Sequence, residues 1–166
     1  MPQAIIYLDS PIGMLEICGE DNWITAVNFA ESEKEETSSS PVVEHCRLQL
    51  EEFFAGKRKE FDLPLMPEGT EFQRRVWAQL QHIPFGETIS YLTLAKQLGD
   101  PKATRAVGLA NGKNPVSIII PCHRVIGANG RLIGYAGGLW RKKWLLNHEN
   151  SLVSNDLFNS VPQLNF

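Results

Sequence analysis

The 166-residue chain is poor in cysteine and has no long apolar run. Cys18, Cys46 and Cys122 are odd in number and share no short repeated spacing, which argues against a disulfide framework or a Cys-x-x-Cys metal knuckle. Runs such as residues 118–120 are far too short to cross a bilayer, and Met1-Pro2-Gln3 has no basic n-region, so a cytoplasmic protein without membrane association is expected. A reducing compartment would also keep a reactive thiol usable. There is no Gly-x-Gly-x-x-Gly, no phosphate loop and no ligand-spaced set of His and Cys; neither a cofactor nor a metal is expected. Positive charge is not in excess either, the net charge being −3.

That last shortage is only apparent. Residues 1–69 hold 5 Lys and Arg against 14 Asp and Glu, a balance of −9; residues 70–149 hold 11 against 4, a balance of +7; residues 150–166 add only Asp156. A basic half hidden in an acidic chain points to a polyanionic partner for that half alone, although two oppositely charged faces docking on each other would look the same. With 43% hydrophobic residues the chain can bury a sizeable core. The charge step and the Pro-containing stretch 61–69 divide it into an N-terminal α+β supporting domain, 1–69, and a C-terminal domain, 70–166.

The first domain reads as an antiparallel meander with a covering helix. Strand signals at 5–8, 14–18 and 23–29 are separated by turn residues, with Trp23, Thr25, Val27 and Phe29 expected on one face. Residues 31–40 are polar without periodicity, hence a mobile loop. Ser40-Pro41 reads as a capped helix start, with Val42, Val43, Cys46, Leu50, Phe53 and Phe54 on one stripe and Gly56 as the stop.

In the second domain Thr70-Glu71-Phe72-Gln73 forms a capping-box pattern opening a helix with Phe72, Val76, Trp77, Leu80 and Ile83 along one face. Ser90 caps a further short helix, Gly99-Asp100-Pro101 turns the chain, and another helix runs from Lys102 to about Ala110. Two short helices about a Gly-containing turn fit a helix-turn-helix, and equally any αα-corner. The second helix combines cations (Lys102, Arg105) with small residues (Ala103, Ala106, Gly108), a composition suited to close approach to a groove. Residues 125–126 and 131–133 about Asn129-Gly130 predict a hairpin wing. A last helix is expected over 139–147, with Arg141, Lys142 and Lys143 exposed, followed by a polar tail from Asn150.

The chemistry centres on residues 117–127. Three isoleucines, 118–120, predict a short buried strand that Pro121 ends, placing Cys122 and His123 where a rigid element stops. A thiol beside an imidazole and the Arg124 guanidinium is in surroundings that favour the thiolate. A direct Cys122–His123 bond needs a turn or a bridging water, because neighbours on extended chain point opposite ways.

Pro121-Cys122-His123-Arg124-Val125 resembles the active-site signature of the O6-alkylguanine-DNA alkyltransferases. Six further blocks match in order: residues 72–77, 84–91, 103–108, 114–116, 134–138 and 143–149. The resemblance implies a winged helix-turn-helix-like second domain and stoichiometric, irreversible transfer of an alkyl group from O6 of a flipped guanine in double-stranded DNA to Cys122, by a monomer. It implies that Glu149 bonds His123, that a water relays to the thiol, and that Tyr91 serves N3 of the leaving base; from the residues alone, Tyr91 fits a core aromatic as well. It places Arg105, Thr104, Ala106, Lys102 and Arg124 at DNA, Arg105 filling the gap left by the flipped base. It places Asn114, Val125, Tyr135, Ala136 and Gly137 around the base, Ala136 standing where some relatives carry serine. Competing readings are a cysteine hydrolase using Cys122, His123 and Glu149, a non-catalytic damage binder, and a transcription regulator. The retained Cys122 speaks against the damage binder.

Overall fold

A computed structural model describes residues 3–156. The chain is α+β and forms two compact units, the first comprising residues up to Glu68 together with Pro115–Ile119, the second the remainder.

In the first unit, strands β1 (Ala4–Ser10), β2 (Gly13–Glu20) and β3 (Trp23–Ala30) form an antiparallel meander in the order β1-β2-β3. Helix α1 (Pro41–Phe54) covers it with Val43, Cys46, Leu50 and Phe53. The alternation expected along β3 fails at one point. Cys18 pairs with Ala26 but Gly19 with Ile24, so Thr25 is an extra residue in a β-bulge. The bulge turns both Ile24 and Val27 inward and leaves Trp23 40% exposed.

Both edges of this sheet are covered. Along β1, Ile5 accepts from the Thr37 amide and donates to the Thr37 hydroxyl, while the Tyr7 amide donates to Glu36. The polar segment expected to be a free loop therefore lines an edge strand, taking up backbone groups that would otherwise be open to pairing. Along β3, Ile24 pairs with the 64–66 segment, and Val27 bonds Pro115 and Ser117. The N-terminal cap of α1 also differs from expectation: Ser40 is at the cap position, but its hydroxyl makes no capping bond, whereas the Ser39 hydroxyl bonds Glu44.

In the second unit, α2 (Glu71–Leu80) opens with both bonds of the capping box, Thr70 hydroxyl from the Gln73 amide and Gln73 side chain from the Thr70 amide. It buries Val76, Trp77 and Leu80, and the Trp77 indole donates to the Ala110 carbonyl. After β4 (Ile89–Ser90), the Ser90 hydroxyl caps α3 (Tyr91–Gln97). Gly99 at φ +89° makes the turn, and a 3₁₀ turn at Pro101–Ala103 leads into α4 (Thr104–Gly112).

Residues 118–120 are buried as expected but are not a strand. The Ile119 amide bonds back to the Ser117 carbonyl, a γ-turn with Ile118 at φ +73°. The Cys122 amide bonds back to Ile120 across Pro121 (φ −82°, ψ 62°), an inverse γ-turn. A β-branched residue at positive φ is costly and is retained only where packing over-determines it, and Ile118 is fully buried. Propensity therefore fails here because tertiary burial outweighs it.

The expected wing is not a hairpin. β5 (Val125–Ile126) pairs in parallel with β4, Asn129 and Gly130 take the left-handed turn their sequence signals, and a single bond joins Gly127 to Arg131. Helix α5 runs over Leu139–Asp156, beyond the expected stop at Asn147. The remainder of the expected tail, 157–166, lies outside the described residues.

Removing the cap hydroxyl of α2 leaves the Gln73 amide without its side-chain partner, so Thr70→Ala is expected to lower stability by about 1 kcal/mol, measured by urea unfolding.

Candidate active site

The candidate site lies wholly in the second unit. Cys122, His123 and Arg124 form one 3₁₀ turn, delivered by the inverse γ-turn at Pro121, and all three are buried. Glu149 projects from α5 and is 1% exposed. Its carboxylate accepts four hydrogen bonds: Oε1 from the Gly86 amide (3.2 Å) and Arg124 Nε (2.8 Å), Oε2 from His123 Nε2 (2.7 Å) and Arg124 Nη2 (3.0 Å). Gly86 has φ +82°, and a Cβ there would run into Val153, so only glycine brings this amide to the carboxylate.

These contacts set the protonation states. Burial alone would raise the Glu149 carboxyl, but His123 and Arg124 outweigh it and hold it at about 2. Burial lowers the His123 imidazole, against the pull of Glu149, so the ring is neutral at pH 7. An ionised carboxylate only accepts, so Nε2 carries the proton and Nδ1 presents its lone pair; Nδ1 has no protein partner among the described residues. Burial also pushes the Cys122 thiol up, opposed by a hydrogen bond with Asn114 and by the charge of Lys142. The expectation of a resting thiolate is thus corrected: desolvation exceeds the nearby positive charge, and the site rests as thiol plus neutral imidazole. Cys18 and Cys46 are pushed up to about 12, Cys18 by burial and Glu16, Cys46 by burial alone.

Beside this turn lies a cavity of about 360 Å³, lined among others by Tyr91, Arg105, Gly108, Asn111, Gly134 and Tyr135. Gly108 of α4 faces the Tyr91 ring, with room for a methyl group at van der Waals distance between them. The Tyr91 hydroxyl donates to the Ile133 carbonyl (3.0 Å), and burial raises its pKa, so it holds its proton. Lys102, in the 3₁₀ turn before α4, and Arg105 and Ala106 in the first turn of α4 are exposed, while Thr104 is half-buried, its hydroxyl on the Pro101 carbonyl.

Of the residues expected around the base, Tyr135 lines the cavity. Asn114 is buried and donates to the Ile120 carbonyl (2.8 Å), Val125 is buried in β5, Gly137 is buried, and Ala136 is exposed. Arg124 requires correction. It was expected at a DNA surface, but it is 6% exposed and fastens Glu149, with Nη1 on the Ile83 carbonyl (2.7 Å).

Two residues escaped the sequence reading. Asn111 is buried at the end of α4 and donates to the Cys122 carbonyl (3.4 Å). Lys142, expected to be exposed with its neighbours, is fully buried, its ammonium donating to the carbonyls of Val125 (2.7 Å), Ile133 (3.0 Å) and Gly134 (3.4 Å). The available signal was its placement on α5: Lys142 falls three and four residues before Leu145 and Leu146, on the apolar stripe. With Arg124, Lys142 and Glu149 buried, the charges of residues 70–149 left outside fall from eleven against four to nine against three, still +6.

Residues 71–151 match the family described as 6-O-methylguanine DNA methyltransferase, DNA binding domain, and residues 5–67 the ribonuclease-like domain of the same methyltransferase. The chain is 50% identical over 149 residues to a methylated-DNA--protein-cysteine methyltransferase of Methanosarcina acetivorans, covering 86% of this chain and 96% of that one. It is 51% identical over 145 residues to a protein of the same name in Mycolicibacterium paratuberculosis, covering 84% and 87%. Among solved structures it resembles the O6-methylguanine methyltransferase of Mycobacterium tuberculosis, with a TM-score of 0.84 and 45% identity over 95% of this chain and 99% of that one. It also resembles M. tuberculosis OGT in complex with DNA, with a TM-score of 0.81 and 49% identity, covering 88% and 92%.

Glu149→Gln removes the charge that His123 and Arg124 share, and is expected to cost roughly 3–5 kcal/mol at pH 7 by leaving a buried guanidinium uncompensated. The folded pKa of Glu149 lies below its unfolded value, so the stability it confers is present above about pH 5 and lost as pH falls towards 2. Urea unfolding of both proteins against pH should show the gap closing over that window.

Proposed function

The chain belongs to the 6-O-methylguanine DNA methyltransferases, which repair DNA by direct transfer of the alkyl group to a cysteine of the protein, and we propose that Cys122 is the acceptor. The observation that carries this assignment is the buried thiol on a tight turn whose next residue, His123, is hydrogen-bonded at 2.7 Å to the ionised Glu149.

His123 Nδ1 takes the thiol proton through a water, and Glu149 stabilises the imidazolium that results. The sulfur attacks the alkyl carbon; the S–C bond forms as the C–O6 bond breaks, and guanine leaves with the electron pair. Tyr91 turns from the Ile133 carbonyl to N3 of the departing base. The proton taken from the thiol returns to the guanine, leaving a neutral base and a thioether. A thioether is not readily cleaved, so each molecule acts once, and it does so as a monomer. A cytoplasmic setting keeps the thiol reduced.

An O6-alkylated guanine inside a duplex is out of reach of a buried thiol, so the nucleotide is flipped, at a cost of a few kcal/mol. DNA meets the start of α4 and the 3₁₀ turn before it, where Lys102, Thr104 and Ala106 follow the strand and Arg105, on the rim of the cavity, fills the gap. Tyr135, Ala136 and Gly137 form the outer wall for the base, and Asn114 and Val125 fix the cysteine side of it. The first unit, residues 1–69 for the most part, acts as support.

Incubation with duplex DNA containing O6-methylguanine should add the mass of one methyl group to the chain, on Cys122, and Cys122→Ser should add none. Two or more turnovers per molecule, or an adduct on Cys18 or Cys46, would refute the assignment.

Arg105→Ala separates flipping from chemistry. Its repair of duplex DNA is expected to fall about tenfold to a thousandfold, with reaction on free O6-benzylguanine retained. Equal loss on both substrates would move Arg105 from the groove to the pocket.

A further inference from the structure

Asn111 is a buried side chain at the cysteine turn that the proposed reaction leaves half used. It sits at the end of α4, 4% exposed, and lines the cavity. Its Nδ2 donates to the Cys122 carbonyl (3.4 Å), and it also bears on the Tyr91 hydroxyl, whose pKa burial raises and a hydrogen bond from Asn111 lowers. A carbonyl oxygen accepts and never donates, so the nitrogen, not the oxygen, is the end of this amide that meets the nucleophile's turn. The oxygen, Oδ1, is buried and has no partner among the described residues. A buried acceptor without a donor costs about as much as a lost hydrogen bond, and one kept beside a cavity calls for a donor that arrives with a ligand.

The base that the proposed reaction brings to this cavity has few donors to offer. Alkylation at O6 leaves N1 with a lone pair in place of its proton, N3 and N7 accept, and N9 is bonded to the sugar. The exocyclic 2-amino group is therefore the donor of an O6-alkylguanine in DNA, and it stands on the ring edge next to N3. A base whose N3 meets Tyr91 carries that group towards the residue hydrogen-bonded to the same tyrosine.

We propose that Asn111 is a specificity-determining residue, its Oδ1 accepting a hydrogen bond from the 2-amino group of the flipped O6-alkylguanine. The inference rests on the reading of Cys122 as acceptor and Tyr91 as partner of N3, and adds to it a second recognition: the site reads the amino edge of the base as well as its alkyl group. With Nδ2 on the Cys122 carbonyl and Oδ1 on the base, one side chain sets the base in register with the nucleophile's turn. A purine without the amino group leaves the oxygen buried and unpaired, and is disfavoured for that reason.

The test uses two free nucleosides that need no flipping, O6-benzyl-2′-deoxyguanosine and O6-benzyl-2′-deoxyinosine, which differ in the 2-amino group alone. The second-order rate of Cys122 benzylation is followed by intact mass in the wild type, Asn111→Leu and Asn111→Ala. Both variants also lose the bond to the Cys122 carbonyl and should be slower on both nucleosides. The amino group alters how well the base leaves, equally for each protein, so the quantity read is the wild-type preference for the guanine nucleoside divided by the variant's. That quotient should be about tenfold or more. A variant slowed by the same factor on both nucleosides overturns the proposal, since that is what a purely structural asparagine gives. So does a wild type whose two rates agree within about twofold, a result that stands even if neither variant folds. A wild type that forms no Cys122 adduct with either nucleoside fails differently: it brings down the assignment of the acceptor itself.

Discussion

The second unit depends on one buried carboxylate. Glu149 is an anion taken out of water, and such a group is tolerated only when its lone pairs are filled. Four donors fill them, from two segments: the Gly86 turn before β4, and the imidazole and guanidinium of the nucleophile's own turn, where Arg124 also holds the Ile83 carbonyl that follows α2. The same contacts fix the tautomer of His123. A single ion cluster therefore sets both where the turn sits and which ring nitrogen faces the thiol.

A second consequence concerns when the sulfur becomes reactive. A thiolate held permanently in a cell would be open to oxidation and to any soluble electrophile. In this site burial keeps the thiol protonated, and the groups that favour the anion, His123 Nδ1 and the Lys142 charge, are fixed around it. The reactive form is accessible without being the resting one. This differs from the simple reading of a Cys-His-Arg sequence, because neighbours in sequence say nothing about desolvation.

Much of the architecture was legible in the residues. The three strands, the α2 capping box, the Ser90 cap and the glycine turn at 99 each follow from short-range chemistry that the fold left intact. The expected partnership of His123 and Glu149 came from the family resemblance, 26 residues apart in sequence, and the two are in contact. What was not legible was non-local. The bulge at Thr25 depends on pairing with β2. The turn at Ile118 depends on burial against β3. The burial of Arg124 and Lys142 depends on what α5 and the 133–134 loop bring to them, and a charged residue in sequence reads as solvated by default. Where sequence and structure part, then, long-range packing has overruled a local preference.

The segment of residues 115–119 that bonds along β3 bears on how far this chain can be divided. Charge and composition suggest a cut near residue 69, leaving a freestanding basic half. Yet Val116 and Ile118 are fully buried, within the first unit, and the Val27 amide and carbonyl are satisfied by Pro115 and Ser117. A cut at 69 would strip cover from two apolar side chains only four and six residues before the nucleophile, and would release the one segment whose strained backbone is held by that packing. The first unit is thus not one contiguous stretch of chain, since residues 115–119, borrowed from within the basic half, complete its sheet edge and its core.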